Sequence, residues 1–183
     1  MPVVIGAKPD SGFDDPIGML KDCHRRIESF LGILFQVCRL AQGRTLSDEE
    51  RQAIEAALRY FAQSGPRHNE DEEQSVFPRL RASSVAAGTE SVQRLEEEHH
   101  EASAYHDEVT LFYSQWIAEG SLSPENEKSL LVRTEQLQRL YAEHIRIEEE
   151  VVFPRAAALF NQQTLDEIGK EFKARRSAGF GKS

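Results

Sequence analysis

The sequence predicts an all-α fold: an up-down-up-down four-helix bundle with a short extra C-terminal helix. Three observations carry this. Apolar residues recur at alternating spacings of four and three along four long segments, the period of a helix that buries one stripe. Helix-ending and helix-starting residues separate the segments at short intervals, as in Gln42-Gly43 before Ser47-Asp48-Glu49-Glu50, and Gly120 before Ser123-Pro124-Glu125. No stretch shows the alternation of a half-buried strand, and there is no hairpin signal. Long helices joined by short loops pack antiparallel to their neighbours.

The elements follow in order. Asp15-Pro16 opens the first helix, with Asp as N-cap and Pro at the first helical position. Its seam is Leu20, His24, Ile27, Leu31, Leu34 and Cys38, and Gln42-Gly43 ends it. Ser47-Asp48-Glu49-Glu50 is a capping box for the second helix, whose seam runs Ile54, Leu58, Phe61, Gly65, His68, Glu72 and Val76. Thr89 or a nearby Ser opens the third, with Val92, Leu95, His99, Ala102, His106, Val109, Tyr113 and Trp116 in register, and Gly120 closes it. Ser123-Pro124-Glu125 opens the fourth, with Leu130, Thr134, Leu137, Tyr141, His144, Glu148 and Val151 on its seam. Thr164-Leu165-Asp166-Glu167 reads as a further capping box, starting a short helix to about Arg176. The tail SAGFGKS is expected to be disordered. The domain plan is an N-terminal extension over 1–14, the bundle over 15–162, and the C-terminal helix and tail over 163–183. Pro66 lacks the N–H that the carbonyl of residue 62 needs, which predicts a kink or local break there. Pro78 and Pro154 are expected to loosen the ends of helices two and four.

Composition narrows the function. The 183 residues suffice for one domain with a real core. The net charge is −9 and no basic stripe appears, so nucleic acid is not expected as a partner. No apolar run approaches the ~20 residues that span a bilayer, and MPVVIGAKPDSG lacks the basic and apolar regions of a signal peptide. Cys23 and Cys38 lie about 22 Å apart along one helix, too far to bridge. This argues for a reducing, cytoplasmic setting.

One motif occurs twice. His68-Asn69-Glu70-Asp71-Glu72-Glu73 leads into Val76-Phe77-Pro78-Arg79, and His144-Ile145-Arg146-Ile147-Glu148-Glu149 leads into Val152-Phe153-Pro154-Arg155. Both read HxxxEExxVFPR, and the second lies 76 residues after the first. Residues four apart share a helix face, so each copy points a His and a Glu the same way. A single His–Glu pair at this spacing is most often a surface pair. These pairs sit on apolar seams, where an unpaired carboxylate costs several kcal/mol.

All four helices place a His on the seam: His24, His68 with Glu72, His99, and His144 with Glu148. His99 is preferred to His100, whose register through Gln93, Glu96, Ser103 and Asp107 is a solvent face. The spacing supports an internal repeat, because His24 to His68 is 44 residues and His99 to His144 is 45. Four imidazoles and two carboxylates converging in a bundle core suit a dinuclear metal centre. Mixed nitrogen and oxygen ligands favour iron or manganese, with zinc possible.

This constellation resembles the hemerythrin-like, HHE cation-binding family, over roughly residues 15 to 160. The resemblance implies a non-haem di-iron site. His24 and His68 would ligate one iron, His99 and His144 the other, with Glu72 and Glu148 bridging beside an oxo or hydroxo group. The invertebrate oxygen carriers of that family place a second His where this chain has Ser103, and HxxxxD where it has HxxxE. The resemblance therefore leans toward bacterial di-iron proteins tied to nitric oxide and iron-centre stress, and toward iron-sensing domains. It implies a protein that binds or reduces oxygen, nitric oxide or hydrogen peroxide. The alternatives are an iron or oxygen sensor or store without catalysis, and a helical interaction module whose His and Glu are merely buried. No catalytic residue is assigned, and nothing specifies an oligomeric state.

The other candidates have plainer readings. His106 is two turns from His99, about 10 Å along the axis, and reads as a core or channel histidine. Glu73 and Glu149 point about 100° away from the ligand glutamates and are read as solvated or as hydrogen-bonded to the ligands. Tyr105, Tyr113 and Tyr141 are expected in the core, Cys23 as a buried thiol, Phe77 and Phe153 as plugs at the bundle end, and the Arg176 region as a solvated helix face.

Overall fold

The structure is a computed structural model that describes residues 10–83 and 89–178. The N-terminal segment MPVVIGAKP and the tail beyond Ala178 lie outside the described residues, and with them the readings made there. Four rods form the bundle: α1 (Pro16–Leu40), α2 (Asp48–Asp71) continued by α3 (Phe77–Ala82), α4 (Thr89–Glu119), and α5 (Pro124–Ile147) continued by α6 (Phe153–Leu159). A final helix, α7 (Gln162–Ala178), lies against α1 and α2. Among the described residues there is no strand.

The start and stop signals act locally as their chemistry requires. The Asp15 carboxylate accepts from the Gly18 N–H at 2.9 Å. Ser47 and Glu50 form the full reciprocal capping box. Ser123 accepts from the Asn126 N–H, with Pro124 in the first turn. Gly43 and Gly120 follow their helices with φ of +72° and +79°, a left-handed conformation that costs glycine nothing. Short connections make α1 and α2, and α4 and α5, antiparallel pairs. The square closes through α1 against α5 and α2 against α4.

Two apolar cores stack along the bundle axis. One holds Leu31, Leu34, Ile54, Tyr113, Trp116 and Leu130. The other holds Leu20, Phe77, Leu95, Phe153, Ile168 and Phe172. Between them lies a layer of buried polar side chains, and this layer is where the site sits.

Several expectations need correction. Helical geometry runs unbroken through Pro66 to Asp71, so the local break expected there is absent. The departure comes at Glu72–Val76, and again at Glu148–Val152, as one wide π turn in each rod. In each, the glutamate carbonyl accepts from the N–H five residues on, Phe77 or Phe153. Pro78 and Pro154 follow at once, in the first turn of the restarted helix where no N–H is needed. The wide turn carries one extra residue, which shifts the register. Val152 is therefore buried, and Val151, expected on the seam, is 45% exposed.

The C-terminal helix differs most. Asn161, not Thr164, caps it, accepting from the Thr164 N–H at 2.9 Å, and Ser177 and Ala178 of the expected tail are helical. Its Arg176 region is not a solvated face. Arg175 and Arg176 each bind a carboxylate oxygen of the fully buried Asp71 at 2.7 Å, and Arg79 pairs with Glu171 at 2.8 Å. Gly169 permits this approach, because a Cβ there would collide with the Phe13 carbonyl. Tyr105 is half-buried rather than core, its hydroxyl on Glu101 at 2.6 Å.

Burial of Phe172 carries a test. Phe172→Ala should lower stability by about 3–5 kcal/mol, the usual cost of emptying a buried aromatic site, measured by urea denaturation. A change near zero would mean that α7 is solvated after all.

Candidate metal centre

The polar layer takes one or two side chains from every rod. The alternating 4,3 spacing turns His24 of α1 and His99 of α4 inward, and HxxxE places His68 with Glu72 and His144 with Glu148 one turn apart. All six are at least 94% buried. His100 is exposed, as its register predicts. Both glutamates stand at the start of the π turns, their own N–H groups still bonded to the carbonyls of His68 and His144 in the preceding helix.

The six candidates fall into two overlapping groups. His24 and His68 share a site with Glu72 and Glu148, and His99 and His144 share another with the same two glutamates. Within each group the potential ligand atoms lie within 4.8 Å of one another. Imidazole Nε2 atoms face the carboxylates throughout: His24 to Glu148 at 2.9 Å, His68 to Glu72 at 3.4 Å, His99 to Glu72 at 3.4 Å, and His144 to Glu148 at 3.3 Å. His99 Nε2 and His144 Nε2 are 3.2 Å apart. All four glutamate oxygens and His24 Nε2 are buried without a hydrogen-bond partner. Buried acceptors left unsatisfied are costly. A cation pair coordinated by them removes that cost, so the donor set fits a dinuclear centre.

Three of the imidazoles are held from behind. Glu149 Oε1 binds His24 Nδ1 at 2.9 Å, Glu73 Oε1 binds His99 Nδ1 at 2.6 Å, and Glu98 Oε2 binds His144 Nδ1 at 3.0 Å. Such partners fix the ring and its tautomer and make Nε2 a stronger donor to metal. Glu73 and Glu149 thus touch the histidines rather than solvent alone. The second E of HxxxEE reaches the histidine of another rod in each half. Glu98 carried no sequence signal of this kind. Its i,i+4 partner Arg94, at 2.7 Å, makes it look like a surface residue. Asp71 was likewise missed, because its partners lie about 100 residues away on α7. His68 Nδ1 has no partner.

Electrostatics of the metal-free layer is uneven. Burial works against charge on Glu148, yet His144 and His24 hold its pKa well below the usual carboxylate range. Burial and the neighbouring Glu148 both push Glu72 up. Burial alone would depress His24 and His144, but Glu148, with Glu149 or Glu98 behind, raises them to about 9 and about 10. His68, lacking a carboxylate behind it, is pushed down to about 4 by burial.

A cleft of about 260 Å³ between α2 and α4 reaches this layer at His99. Phe61, Ala102, Ser103, His106 and Tyr141 also line it. His106 Nε2 is 3.1 Å from the Tyr141 hydroxyl, and its ring lies 4.5 Å from that of Phe61. Burial lowers the His106 pKa to about 4 and raises that of Tyr141. Near neutral pH His106 and Tyr141 are both uncharged, and Asp107 is the acidic residue of the cleft wall. His106 is therefore a channel residue, separated from the six-residue cluster.

Two comparisons bear on this geometry. The sequence model of the hemerythrin HHE cation binding domain matches residues 15–156. The chain is also similar to an uncharacterized protein of Haemophilus influenzae, 27% identical over 165 residues, covering 90% of this chain and 91% of the relative. Among the described residues no helix is long and apolar enough to cross a membrane.

The raised histidines carry a test. At pH 7, His24 and His144 hold protons in the metal-free chain, and metal takes neutral imidazole. Metal uptake should therefore release at least these two protons, about two or more per chain, read by calorimetry in two buffers of different ionisation enthalpy. The same shifts make the metal-free chain lose stability as pH rises from 6.5 toward 9 and 10, the interval in which the folded chain still holds protons that the unfolded chain has released. Release of no protons would contradict the ion-paired layer.

Proposed function

Because the chain belongs to the hemerythrin HHE cation-binding family, we propose that it is a non-haem di-iron protein that binds a small diatomic molecule or peroxide. In this reading His24 and His68 hold one iron, His99 and His144 the other, and Glu72 and Glu148 are shared. The observation that carries the small-ligand reading is the cleft that reaches the centre at His99. One turn after His99 stands Ser103, whose hydroxyl is a poor ligand for iron. Iron held by these residues would supply one-electron redox chemistry and a place for a small ligand to bind, and Ser103 beside His99 offers it no imidazole.

The chain's own residues select for such a ligand. Phe61 and Ala102 give the cleft wall an apolar surface near His99, and its volume of about 260 Å³ suits a small ligand. Tyr141 keeps its proton across the physiological range and stands ready to donate a hydrogen bond toward the cleft or to His106. The shell of Glu73, Glu98 and Glu149 keeps three imidazoles oriented while a ligand enters and leaves. Oxygen, nitric oxide and hydrogen peroxide all fit these limits, which suits a role in oxidative or nitrosative stress.

A sensor reading draws on a different observation. Asp71 directly precedes Glu72 and is clamped by Arg175 and Arg176 of α7. Filling the centre would thereby tighten the docking of the C-terminal helix. Equal melting temperatures for metal-free and iron-loaded protein would remove this reading.

Anaerobic iron loading followed by absorption spectroscopy with oxygen and nitric oxide tests the proposal. About two irons per chain and a new ligand-dependent band are expected. Fewer than one iron per chain would overturn it. Glu148→Ala should bring iron below one per chain. Ser103→His should retain both irons while slowing ligand binding by about tenfold or more, since the added imidazole fills the open position.

A further inference from the structure

The two halves of the bundle are related by an offset of 75 residues between α1 and α4 (His24 to His99) and 76 between the other rods (His68 to His144). Applied to the groups behind the imidazoles, this repeat matches Glu149 with Glu73. It matches Glu98, which holds His144, with Cys23, which should hold His68. Cys23 is instead turned to the Tyr60 hydroxyl at 3.2 Å, and the thiol is too short and too weak an acceptor to stand in for a carboxylate. His68 Nδ1 is left as a buried, unpartnered donor or acceptor in a side chain only 3% exposed.

The space that the missing carboxylate would fill is present. A pocket of about 230 Å³ lies between α1, α2 and α7, lined by Cys23, Arg26, Ser64, Arg67 and His68. His68 lines this pocket; its Nε2 faces Glu72, which is not part of the wall, and its Nδ1 is buried on the other edge of the ring. In the other half, the equivalent groove is lined by Glu98, Glu101 and Glu143. The repeat aligns these with Cys23, Arg26 and Arg67. Three acids on one side have become a thiol and two guanidinium groups on the other.

The charge balance inside the pocket favours an anion. Its three acids are already matched: Asp10 by Arg26, Asp22 by Arg25 and the Ser11 N–H, and Asp71 by Arg175 and Arg176. Arg67 and the Ser64 hydroxyl make no ion pair or hydrogen bond among the described residues. The pocket thus presents an uncommitted guanidinium and a hydroxyl, with the unpartnered His68 Nδ1 buried beside them, where the other half supplies a glutamate.

We propose that this pocket binds a small carboxylate, which takes the place of the absent glutamate behind His68 and forms a charge-assisted pair with Arg67. Such a carboxylate would give the fourth imidazole the same backing as the other three, so its concentration would tune the centre from outside the ligand cleft. The pocket volume accommodates an acetate-sized molecule together with waters of about 30 Å³ each.

Acetate is the probe, titrated by calorimetry into metal-free and zinc-loaded protein, the latter being diamagnetic so that the His68 imidazole resonances can be followed by NMR. Saturable binding with a displaced His68 Nδ1 signal is expected. Arg67→Gln should weaken binding by about tenfold or more, the value of a charged hydrogen bond. The variant Arg139→Ala, on the opposite half and outside the pocket, should bind as wild type. Cys23→Glu should supply the carboxylate from the chain itself, abolish acetate binding and leave the metal content unchanged. Absence of saturable binding in both forms of the wild-type protein, or equal binding by Arg67→Gln, would overturn the proposal. The metal-free arm keeps the test independent of whether the centre takes iron.

Discussion

The structure depends on the burial of two carboxylates, Glu72 and Glu148, at the middle of an apolar bundle. Neither exposes any surface, and none of their four oxygens has a hydrogen-bond partner. Each buried charge costs several kcal/mol if left alone. The surrounding architecture offsets that cost with four imidazoles at 2.9–3.4 Å, and metal would complete the balance. The two hydrophobic cores above and below this layer hold the rods in register and keep water from relieving the strain.

The second organising feature is the repeat, and its departures are as informative as its matches. Each half supplies one histidine, then HxxxE opening a π turn, then a Phe that closes the lower core. The turn starts at the glutamate, and the Pro two residues past it restarts the helix without needing an N–H. The halves part company at the periphery. The first half is braced by α7 through Asp71, which Arg175 and Arg176 clamp. Only the second has a glutamate, Glu98, behind the imidazole of its HxxxE motif. A centre built from near-identical motifs is therefore chemically asymmetric, with a cleft at His99 on one side and a pocket lined by His68 and Arg67 on the other.

Much of this was legible in the linear sequence because helix periodicity is a local property. The rods, their caps at Asp15, Ser47 and Ser123, the choice of His99 over His100, and the inward placement of all six candidate side chains follow from spacing within single helices. The misreadings share a cause. Val151 was placed on the seam in place of Val152 because a period of 3.6 does not foresee a one-residue insertion of backbone at Glu148. Arg175 and Arg176 looked solvated because their partner, Asp71, is about a hundred positions away. Glu98 looked like a surface residue because its contact with His144 crosses from one rod to another.

The sequence by itself determined which residues face inward and that the chain carries two copies of one ligand-bearing motif, since both rest on angles and distances within a single helix. Only the tertiary structure decided which imidazoles share which carboxylates, which of them are backed by a second acid, and where the centre opens. Those properties depend on how four rods are rotated and set against one another, and that is settled by packing between distant segments rather than by any local pattern. His68 shows the difference most plainly. Its motif is the same as that of His144, and its surroundings are not, because Cys23 and Arg67 stand where the other half has Glu98 and Glu143.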